Sequence, residues 1–366
     1  MECLEKPIWN SYTREELAKL KVETPDEEIY KKVLSNLDNV AKPIDSLGRF
    51  EALTARIGAI QGTEIIDISK KAVIIMCADN GIVEEGISQS GQEVTLAIVR
   101  NMADKKSSVG KMAASIGTDT IPVDIGVNYK ESIPGVLDRK IALGTRNFRN
   151  EPAMTEEEAI KAIFTGIEMV FVCKEKGYRI LATGEMGIGN TTTSSAITAS
   201  LLGCEVAEVT GRGAGLSDEK LKTKQKIIAE AIDKYELKEA DALQILETVG
   251  GFDIAGLAGV CIGGALYHVP IVLDGVISMT AALLAERLVP GTKQYLIPSH
   301  KGKEPAVEKL SKELGIEPVI DGNMALGEGT GAVMMFSLLD IALSVYQDRT
   351  TFSDIKIEQY ERSLHK

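Results

Sequence analysis

Residues 179–192 read RILATGEMGIGNTT, and this stretch decides how the chain folds. It begins with a short apolar run, continues through a glycine-rich loop and ends in polar residues that suit the start of a helix. Strand, glycine loop and helix in this order are typical of a parallel α/β unit, in which the helix N-terminus presents free backbone N–H groups to an anion. The alternative interpretation, a tight turn followed by a capped helix, stays open at this point.

Four further apolar runs, bounded by Gly, Asp or Pro, have the length of buried strands. They cover residues 72–77, 120–123, 270–273 and 294–297. Helix-period segments lie between or beside them, at residues 155–175, 218–235, 240–248 and 278–286. Strands that are apolar on both faces and alternate with helices predict an α/β fold, in which helices cover both faces of a parallel sheet. Ligands of such sheets bind beyond the carboxyl ends of the strands.

The two chain ends read differently, because their periodicity predicts helices at residues 25–37, 50–60 and 331–346 and no strand. We therefore expect a small helical domain built from residues 1–65 together with residues 345–366. A large α/β domain over residues 66–344 would carry the active site. The sequence shows no internal repeat and no low-complexity linker between these parts.

The composition excludes several classes of protein. Hydrophobic residues make up 44% and charged residues 26% of the 366 residues, which is ordinary for a globular chain and unlike a collagenous or disordered one. The net charge of −12 repels nucleic acid and anionic membranes, and aromatic residues, at 5%, are too few for base-stacking surfaces. We therefore expect neither nucleic acid nor a membrane as a partner.

Cysteine usage and the N-terminal sequence predict a cytoplasmic protein. The five cysteines are odd in number and far apart, without a CxxC or Cys/His cluster, so we expect buried reduced thiols. Residues 1–21 carry charges throughout and lack the apolar core of a signal peptide. Residues 254–273 are uncharged over a length that could span a bilayer, but their four glycines, His268 and Pro270 favour a small-residue helix followed by a short buried strand.

Three loops offer groups that could hold a phosphate. The loop at residues 184–189 lacks the Gly-Lys-Thr/Ser ending of a Walker A loop and the third glycine of the dinucleotide fingerprint, so it favours a monophosphate or sugar over ATP or NAD. Residues 211–215, GRGAG, add one positive charge ahead of a helix that Ser217 could cap. Residues 298–301, PSHK, add a hydroxyl, an imidazole and an ammonium group. Taken as isolated features, each of the last two is more often a solvated loop.

Residues 326–331, LGEGTG, place one carboxylate, that of Glu328, among three glycines and ahead of a long apolar helix. Glu328 either complements the helix dipole or acts as an ionised general base that a substrate can approach closely, and the two roles are compatible. Serine-histidine catalysis and a zinc site have little support, because the three histidines lack a Gly-x-Ser-x-Gly elbow or a cysteine grouping to act with. We expect no metal site.

Taken together and in this order, the motifs resemble those of the nicotinate-nucleotide:dimethylbenzimidazole phosphoribosyltransferase family, which activates the lower ligand of cobamides. The matching blocks are KPxxSLGR at 42–49, MCADxG at 76–81, GEMGIGNTT at 184–192, VGGFD at 249–253, LDG at 273–275, IPSH at 297–300 and LGEG at 326–329. They run through nearly the whole chain. An ordinary sugar-phosphate-binding enzyme on a similar sheet would explain the loops but not all seven blocks.

The resemblance implies a Rossmann-like large domain, a small helical domain from both chain ends, a homodimer and a reaction without a cofactor. Nicotinate mononucleotide would give its ribose 5-phosphate to an aromatic base, nicotinate would leave, and the anomeric carbon would invert, with Glu328 as the general base. The residues implied in phosphate and ribose binding are Glu185, Gly187, Gly189, Asn190, Thr191, Gly211, Arg212, Gly213 and Ser299. Those implied in the acceptor pocket are Asp79, Asn80, Ser90, Ile98, Met186 and Leu326.

Two positions depart from the family pattern and bear on the acceptor. Asn80 stands where better-known members carry His, and Ile98 stands where a Gln usually lines the base pocket. An apolar residue there removes a hydrogen-bond partner for an azole nitrogen, so we hypothesise a less polar acceptor. The alternative to dimethylbenzimidazole is therefore phenol or p-cresol, with the chain as one subunit of a heterodimer with a paralogue. A non-catalytic partner subunit is a further alternative, against which the presence of Glu328 argues.

Overall fold

The computed structural model describes residues 12–361, whose centre is a six-stranded parallel sheet. In chain order its strands are β1 (Lys71–Ala78), β2 (Asp119–Gly126), β3 (Leu137–Asp138), β4 (Ile180–Met186), β5 (Ile271–Val272) and β6 (Leu296–Ile297). They lie side by side in the order β3-β2-β1-β4-β5-β6, and every neighbouring pair is parallel. This is the strand order of a Rossmann-like doubly wound sheet.

Helices and a second small sheet surround the six strands. The helices are α1 (Arg14–Lys19), α2 (Glu27–Asp38), α3 (Arg49–Gln61), α4 (Glu93–Ala103), α5 (Ser108–Ser115), α6 (Glu156–Glu175), α7 (Asn190–Leu202), α8 (Val206–Val209), α9 (Asp218–Lys234), α10 (Ala242–Val249), α11 (Phe252–Leu266), α12 (Val276–Leu288), α13 (Ala306–Leu314) and α14 (Thr330–Gln347). The small sheet pairs β7 (His300–Gly302) with β8 (Ile320–Met324) in parallel.

Both faces of the large sheet are covered by helices, as predicted. Alternate residues of β1 point to opposite faces, so that Ala72, Ile74 and Met76 join one hydrophobic cluster while Val73 and Ile75 join the other. The first cluster includes residues of α6, α7 and α9 to α13, and the second includes residues of α2 to α5 and α14. Because both faces are buried, β1 is apolar at successive positions, which confirms the predicted α/β class.

The strand order reverses between β1 and β4, which opens a crevice at the carboxyl ends of these two strands. The loop after β4 lies directly against the end of β1. A Cβ atom at Gly187 would be 2.5 Å from the carbonyl oxygen of Ala78 and 2.5 Å from Oδ2 of Asp253. Only glycine fits at this point, and its absence of a side chain lets the loop reach the crevice.

The uncharged stretch at residues 254–273 forms most of α11 followed by β5, as predicted. Its glycines let α11 pack closely on α6, since a Cβ atom at Gly259 would lie 1.9 Å from the carbonyl oxygen of Ile163. Among the described helices, only α14 is long and apolar enough to cross a membrane. About half of α14, 56%, is buried inside the protein, and the core helix of a globular protein passes the same test.

The two chain ends meet, as the sequence predicts. Val40 pairs with Thr351 in an isolated antiparallel bridge, and the hydroxyl of Tyr346 donates a hydrogen bond of 3.0 Å to the carbonyl oxygen of Glu64. Helices α2 and α3 also share the hydrophobic cluster of α14 and β1. The division into two domains at residues 65 and 345 stays a prediction, and residues 1–11 and 362–366 of the small domain lie outside the described residues.

Some elements differ in extent from the expectation. Strands β5 and β6 have two residues each, and the first two residues of the predicted run 294–297 belong to a 3-10 helix, Thr292–Tyr295. Neither α1 nor the small sheet was predicted. Strand β8 contains Asp321, Gly322 and Asn323, which favour turns in isolation, so its pairing with β7 is imposed by the tertiary structure.

The four cysteines within residues 12–361 are free, and Cys77, Cys173 and Cys261 are buried, as predicted. Burial raises the pKa of the thiols of Cys173 and Cys261 to about 12, so both stay protonated and unreactive at neutral pH. Cys204 is half-buried. Cys3 lies outside the described residues.

Candidate active site

A cavity of about 300 Å³ opens at the carboxyl edge of the sheet, beside the crevice between β1 and β4. The end of β4 and the loop after it form one wall, and the residues that follow β5 form the next. The turn after β7 and the LGEG segment before α14 complete the lining. Segments that are far apart in sequence therefore converge on one site of the size that small molecules occupy.

Glu328 reaches this cavity from a segment of unusual backbone conformation. Gly327, Glu328 and Gly329 all have positive φ, at 84°, 61° and 95°. This left-handed region costs a residue with a side chain about 1–2 kcal/mol, so Glu328 is held there by its surroundings. Its carboxylate Oε2 accepts a hydrogen bond of 2.9 Å from the backbone N–H of Val109, at the start of α5. Its own N–H donates to Oε1 of Glu185, at 3.3 Å.

Glycine at position 184 is what lets the Glu328 segment approach the sheet. A Cβ atom there would lie 2.6 Å from the carbonyl oxygen of Glu328, closer than any side chain tolerates. A Cβ atom at Gly329 would in turn lie 2.6 Å from Cγ1 of Val73. The GEMG and LGEG motifs therefore contact each other directly, although they are more than one hundred residues apart in sequence.

Glu185, which is half-buried, and Asp253, which is buried, form a pair of carboxylates joined by one amide. The side-chain Nδ2 of Asn190 donates to Oε2 of Glu185 and, at 3.1 Å, to Oδ2 of Asp253. Burial raises the pKa of both acids to about 7, and each carboxylate repels the charge of the other or of its acidic neighbours. The pair therefore retains protons near neutral pH, where isolated carboxylates are ionised.

Asp274 is a third buried acid, and it faces backbone donors rather than a cation. Its Oδ1 accepts from the N–H of Gly331 at 2.8 Å, and its Oδ2 accepts from the N–H of Gly329 at 3.1 Å. Burial raises the pKa of Asp274 to about 6, while these N–H donors oppose the shift. The Nδ1 atom of His300 lies 3.8 Å from the same carboxylate, and burial lowers the pKa of that imidazole.

Lys224 supplies a buried positive charge behind Thr191, which lines the cavity. It is fully buried on α9, and its ammonium donates to Oγ1 of Thr191 at 2.9 Å and to the carbonyl oxygen of Gly211 at 3.3 Å. Burial lowers the pKa of Lys224 to about 8, and the carboxylate of Glu304 opposes that shift. Because Thr191 lines the cavity and accepts from Lys224, its own hydroxyl hydrogen is free to point at an anion there.

The GRGAG loop already holds an anion of the protein itself. Oε1 of Glu304 accepts a hydrogen bond of 2.9 Å from the N–H of Gly213, and a Cβ atom at Gly211 would collide with Oε2 of Glu304. Arg212 pairs with Asp218 and donates to the carbonyl oxygen of Leu216. The guanidinium of Arg212 and the N–H of Gly213 therefore already have partners within the protein.

The structure gathers many of the predicted residues around the cavity. Those on its wall are Ile98, Glu185, Met186, Gly187, Asn190, Thr191, Gly213, Leu326 and Glu328. A narrow adjoining recess is lined by Gly189 and Arg212 together with Thr191 and Gly213. The phosphate, ribose and acceptor roles of these residues stay predictions.

Five predicted residues do not line either space. Asp79 and Asn80 are buried behind the loop after β4, where Oδ2 of Asp79 accepts from the N–H of Asn128 at 2.8 Å. Ser90 is half-buried, Gly211 faces Glu304, and Ser299 is buried behind His300, 3.1 Å from its Nδ1. The roles assigned to these five residues also stay predictions, because other residues lie between them and a ligand in the cavity.

Several residues of the site had no predicted role. Asp274 and Asp253 fall inside the matching blocks LDG and VGGFD, and the position of Asp274 after a strand and before a helix was a usable signal. Asp253 lies in the first turn of α11. Lys224 gave none, because it is one of several lysines in an amphipathic helix and only the tertiary structure buries it. Glu304 lies in a charged loop without a motif.

Comparison with known proteins supports one family for the whole chain. Residues 22–357 match the family model described as a phosphoribosyltransferase. The chain is 43% identical over 337 residues to nicotinate-nucleotide–dimethylbenzimidazole phosphoribosyltransferase of Clostridium perfringens, and the match covers 92% of this chain and 93% of the relative. It is 46% identical over 338 residues to the protein of the same name from Acetivibrio thermocellus, covering 91% and 96% of the two chains.

Solved structures agree with these matches. The crystal structure of the enzyme of the same name from Thermus thermophilus superposes with a TM-score of 0.85. That chain is 34% identical to this one, and the similarity covers 92% of this chain and all of the other. Fold and sequence therefore point to the same family over nearly the full length.

The buried acid pair predicts a pH-dependent stability. Asp253 has a pKa of about 7 in the folded chain against 3.8 when exposed, so the folded state binds more protons between these values. The stability from this group is full below pH 3.8 and is lost as the pH rises through 7. Asp253→Asn keeps the shape without the titration. We expect the fall in the free energy of unfolding between about pH 5 and about pH 8, measured with urea, to be smaller in Asp253→Asn than in the wild type.

The matched control is Asp233→Asn, at a surface aspartate whose side chain is 77% exposed. This variant should keep the wild-type dependence on pH. An identical pH dependence in Asp253→Asn and the wild type would show that Asp253 does not hold a proton in the folded protein.

Proposed function

The chain belongs to the phosphoribosyltransferase family of the nicotinate-nucleotide–dimethylbenzimidazole type, and on this basis we propose that it transfers the ribose 5-phosphate of nicotinate mononucleotide to 5,6-dimethylbenzimidazole or a related aromatic base. The products are the α-ribotide and nicotinate, and the reaction serves cobamide biosynthesis. One observation carries the proposal: a single cavity is lined by Glu328, by the apolar side chains of Ile98, Met186 and Leu326, and by Thr191, behind which Lys224 is buried.

The phosphate of the donor is assigned to the end of the cavity at α7. The helix N-terminus carries partial positive charge, Thr191 offers a hydroxyl, and the ammonium of Lys224 lies directly behind it. Since Glu304 already occupies the N–H of Gly213, the GRGAG loop contributes less than the sequence alone indicates. Glu185 and Asn190, in the middle of the cavity, are assigned to the ribose hydroxyls, because carboxyl and amide groups pair well with them.

The acceptor is assigned to the apolar end, beside Ile98, Met186 and Leu326. A ring nitrogen of the base attacks C1′ of the ribose, the bond from C1′ to the pyridinium nitrogen breaks, and nicotinate leaves with the electron pair. The ring N–H proton passes to the carboxylate of Glu328. Because the leaving group departs as a neutral pyridine nitrogen, no acid is needed on that side, and the protein's task is to orient two reactants and accept one proton.

Glu328→Gln tests the general base. The amide keeps the shape of the side chain and cannot take a proton, so we expect turnover to fall by about 10²–10⁴-fold while nicotinate mononucleotide still binds. Nicotinate release and α-ribotide formation measure turnover, and calorimetry measures binding. Glu313→Gln, at a surface carboxylate that pairs with Arg287, is the control and should behave as the wild type. Wild-type turnover by Glu328→Gln would remove this residue from its role.

Lys224→Met tests the phosphate end. Removing a buried charge behind Thr191 should weaken the binding of nicotinate mononucleotide by about 10-fold, in line with the roughly 1.5–3 kcal/mol of hydrogen bonds to charged groups. The affinity for the riboside that lacks the phosphate should not change. Lys226→Met, two residues along the same helix with a side chain 73% exposed, is the matched control. An equal loss of affinity for nucleotide and riboside would contradict the assignment.

The chain is further proposed to form a dimer through the outer face of α14. Met334, Ile341 and Val345 on this face are 43%, 67% and 36% exposed, although the other face of the helix is buried. Ile65, 82% exposed, follows Glu64, whose carbonyl oxygen accepts from Tyr346 near the end of the same helix. A contiguous apolar stripe of this kind is typical of an interface between protein chains.

Ile341→Glu tests this interface. A charge in the middle of the stripe should shift the purified chain from dimer to monomer, measured by light scattering during size-exclusion chromatography. Thr223→Glu, at an exposed position of α9, is the control and should leave the dimer intact. A wild-type chain that is monomeric alone and dimerises only with a related chain would replace the homodimer by the heterodimer predicted as its alternative.

The acceptor alternative, phenol or p-cresol, stays a prediction from Asn80 and Ile98. Ile98 lies on the cavity wall and Asn80 does not, so Ile98 is the position through which the acceptor would be selected. Competition between dimethylbenzimidazole and phenol for the purified enzyme decides between the two classes of acceptor.

A further inference from the structure

The first turn of α14 is capped by a residue from another part of the chain. Its N-cap residue is Gly329, which has no side chain to accept from the free N–H groups of the turn. The carboxylate of Asp274, which follows β5, accepts from Gly329, Gly331 and Ala332 at 3.1, 2.8 and 3.4 Å. Both oxygens of one side chain thus hold three donors at the start of the helix.

Asp274 is 3% exposed, and a buried charge of this kind is costly unless it is compensated. Within the described residues no lysine or arginine forms an ion pair with it. His300 lies close to it, with its imidazole Nδ1 3.8 Å from Oδ1 of Asp274 and hydrogen-bonded to Ser299. The compensation therefore comes from the N–H groups and the dipole of α14, so that carboxylate and helix start are bound to one another.

The hydrogen bond from the N–H of Gly329 to Asp274 lies one residue from Glu328, the proposed general base. Gly329 follows Glu328 directly, so the bond between Asp274 and the N–H of Gly329 fixes one side of the Glu328 backbone. On the other side, the N–H of Glu328 donates to Glu185. Three consecutive residues have positive φ, which is an unfavourable backbone conformation for a residue with a side chain such as Glu328. A segment keeps this conformation only where contacts with the surrounding residues hold it.

We propose that Asp274 is a positioning residue for the reaction: its two carboxylate oxygens fix the left-handed segment that aims the Glu328 side chain at the acceptor. The inference rests on the proposed role of Glu328 as the general base. Asp274 acts through the backbone of the segment and takes no proton from the substrate. A displacement of the base by about 1 Å is enough to cost about 10²-fold in rate, so the precision of this attachment matters for turnover.

Asp274→Asn is the variant that separates positioning from plain packing. Its amide keeps the size of the side chain but replaces one acceptor by an NH₂ donor, which then faces a backbone N–H donor of α14. At least one of the three hydrogen bonds is lost and becomes a repulsive contact, and the Glu328 segment loses its fixed position. We expect kcat to fall by about 10–100-fold, while the Kd of nicotinate mononucleotide changes by less than about 3-fold.

The decisive measurement combines this variant with Glu328→Gln. If Asp274 works through Glu328, the double variant is no slower than Glu328→Gln alone, because the base that Asp274 positions is already absent. The control is Asp26→Asn, which alters a carboxylate that caps α2 with two N–H bonds of 2.9 and 3.0 Å far from the cavity. It should leave kcat unchanged and report what the loss of the charge at a helix cap does by itself, since Asn keeps the acceptor oxygen.

Three outcomes would overturn the inference. Wild-type kcat in Asp274→Asn, beside an inactive Glu328→Gln, would sink the positioning role and leave the proposed function standing. Equal losses from Asp274→Asn in both backgrounds, or a weakened Kd, would mean that Asp274 acts on the donor instead. Wild-type turnover by Glu328→Gln would refute the proposed base itself. Asp274→Ser, which keeps one acceptor without the buried charge, is to be measured by the same criteria if Asp274→Asn does not fold.

Discussion

The structure depends on one close contact, between the backbone of Glu328 and the glycine that ends the apolar part of β4. A Cβ atom at Gly184 would lie 2.6 Å from the carbonyl oxygen of Glu328, so the two segments meet only because that atom is missing. This contact places the carboxylate beside Glu185 and at the carboxyl edge of the sheet. Thr191, in front of Lys224, and the apolar side chains of Ile98, Met186 and Leu326 line the same cavity.

The distribution of charge in the cavity suits the chemistry of a pyridinium leaving group. Carboxyl groups from Glu185, Asp274 and Glu328 line the cavity, while the ammonium of Lys224 is buried behind Thr191 on its wall. In the proposed reaction, ionised acidic groups would favour positive charge on the ribose as the bond to the leaving group breaks, and the ammonium of Lys224 would attract the phosphate.

The sequence predicts the parts of this fold that follow from local patterns. Runs that are apolar on both faces predict the long strands β1, β2 and β4, and the uncharged, glycine-containing run at 254–273 predicts the helix α11 followed by the short strand β5. Sequence patterns fail where strand pairing overrides the intrinsic preference of the residues. Strand β8, with Asp-Gly-Asn at its centre, forms because it pairs with β7. These patterns also fail for contacts between residues that are distant in sequence. The residues next to Glu304 in the sequence give no indication that its carboxylate accepts a hydrogen bond from the N–H of Gly213.

By itself the sequence determined the α/β class, the family and the one carboxylate among glycines, because these are written in short contiguous motifs. The tertiary structure decided which side chains share the cavity. It brought Lys224 and Asp274 to the site and placed Asp79, Asn80 and Ser299 behind its walls. The physical reason is that burial and hydrogen-bond partners depend on residues that are distant along the chain, and a local pattern carries no information about what will be packed against it.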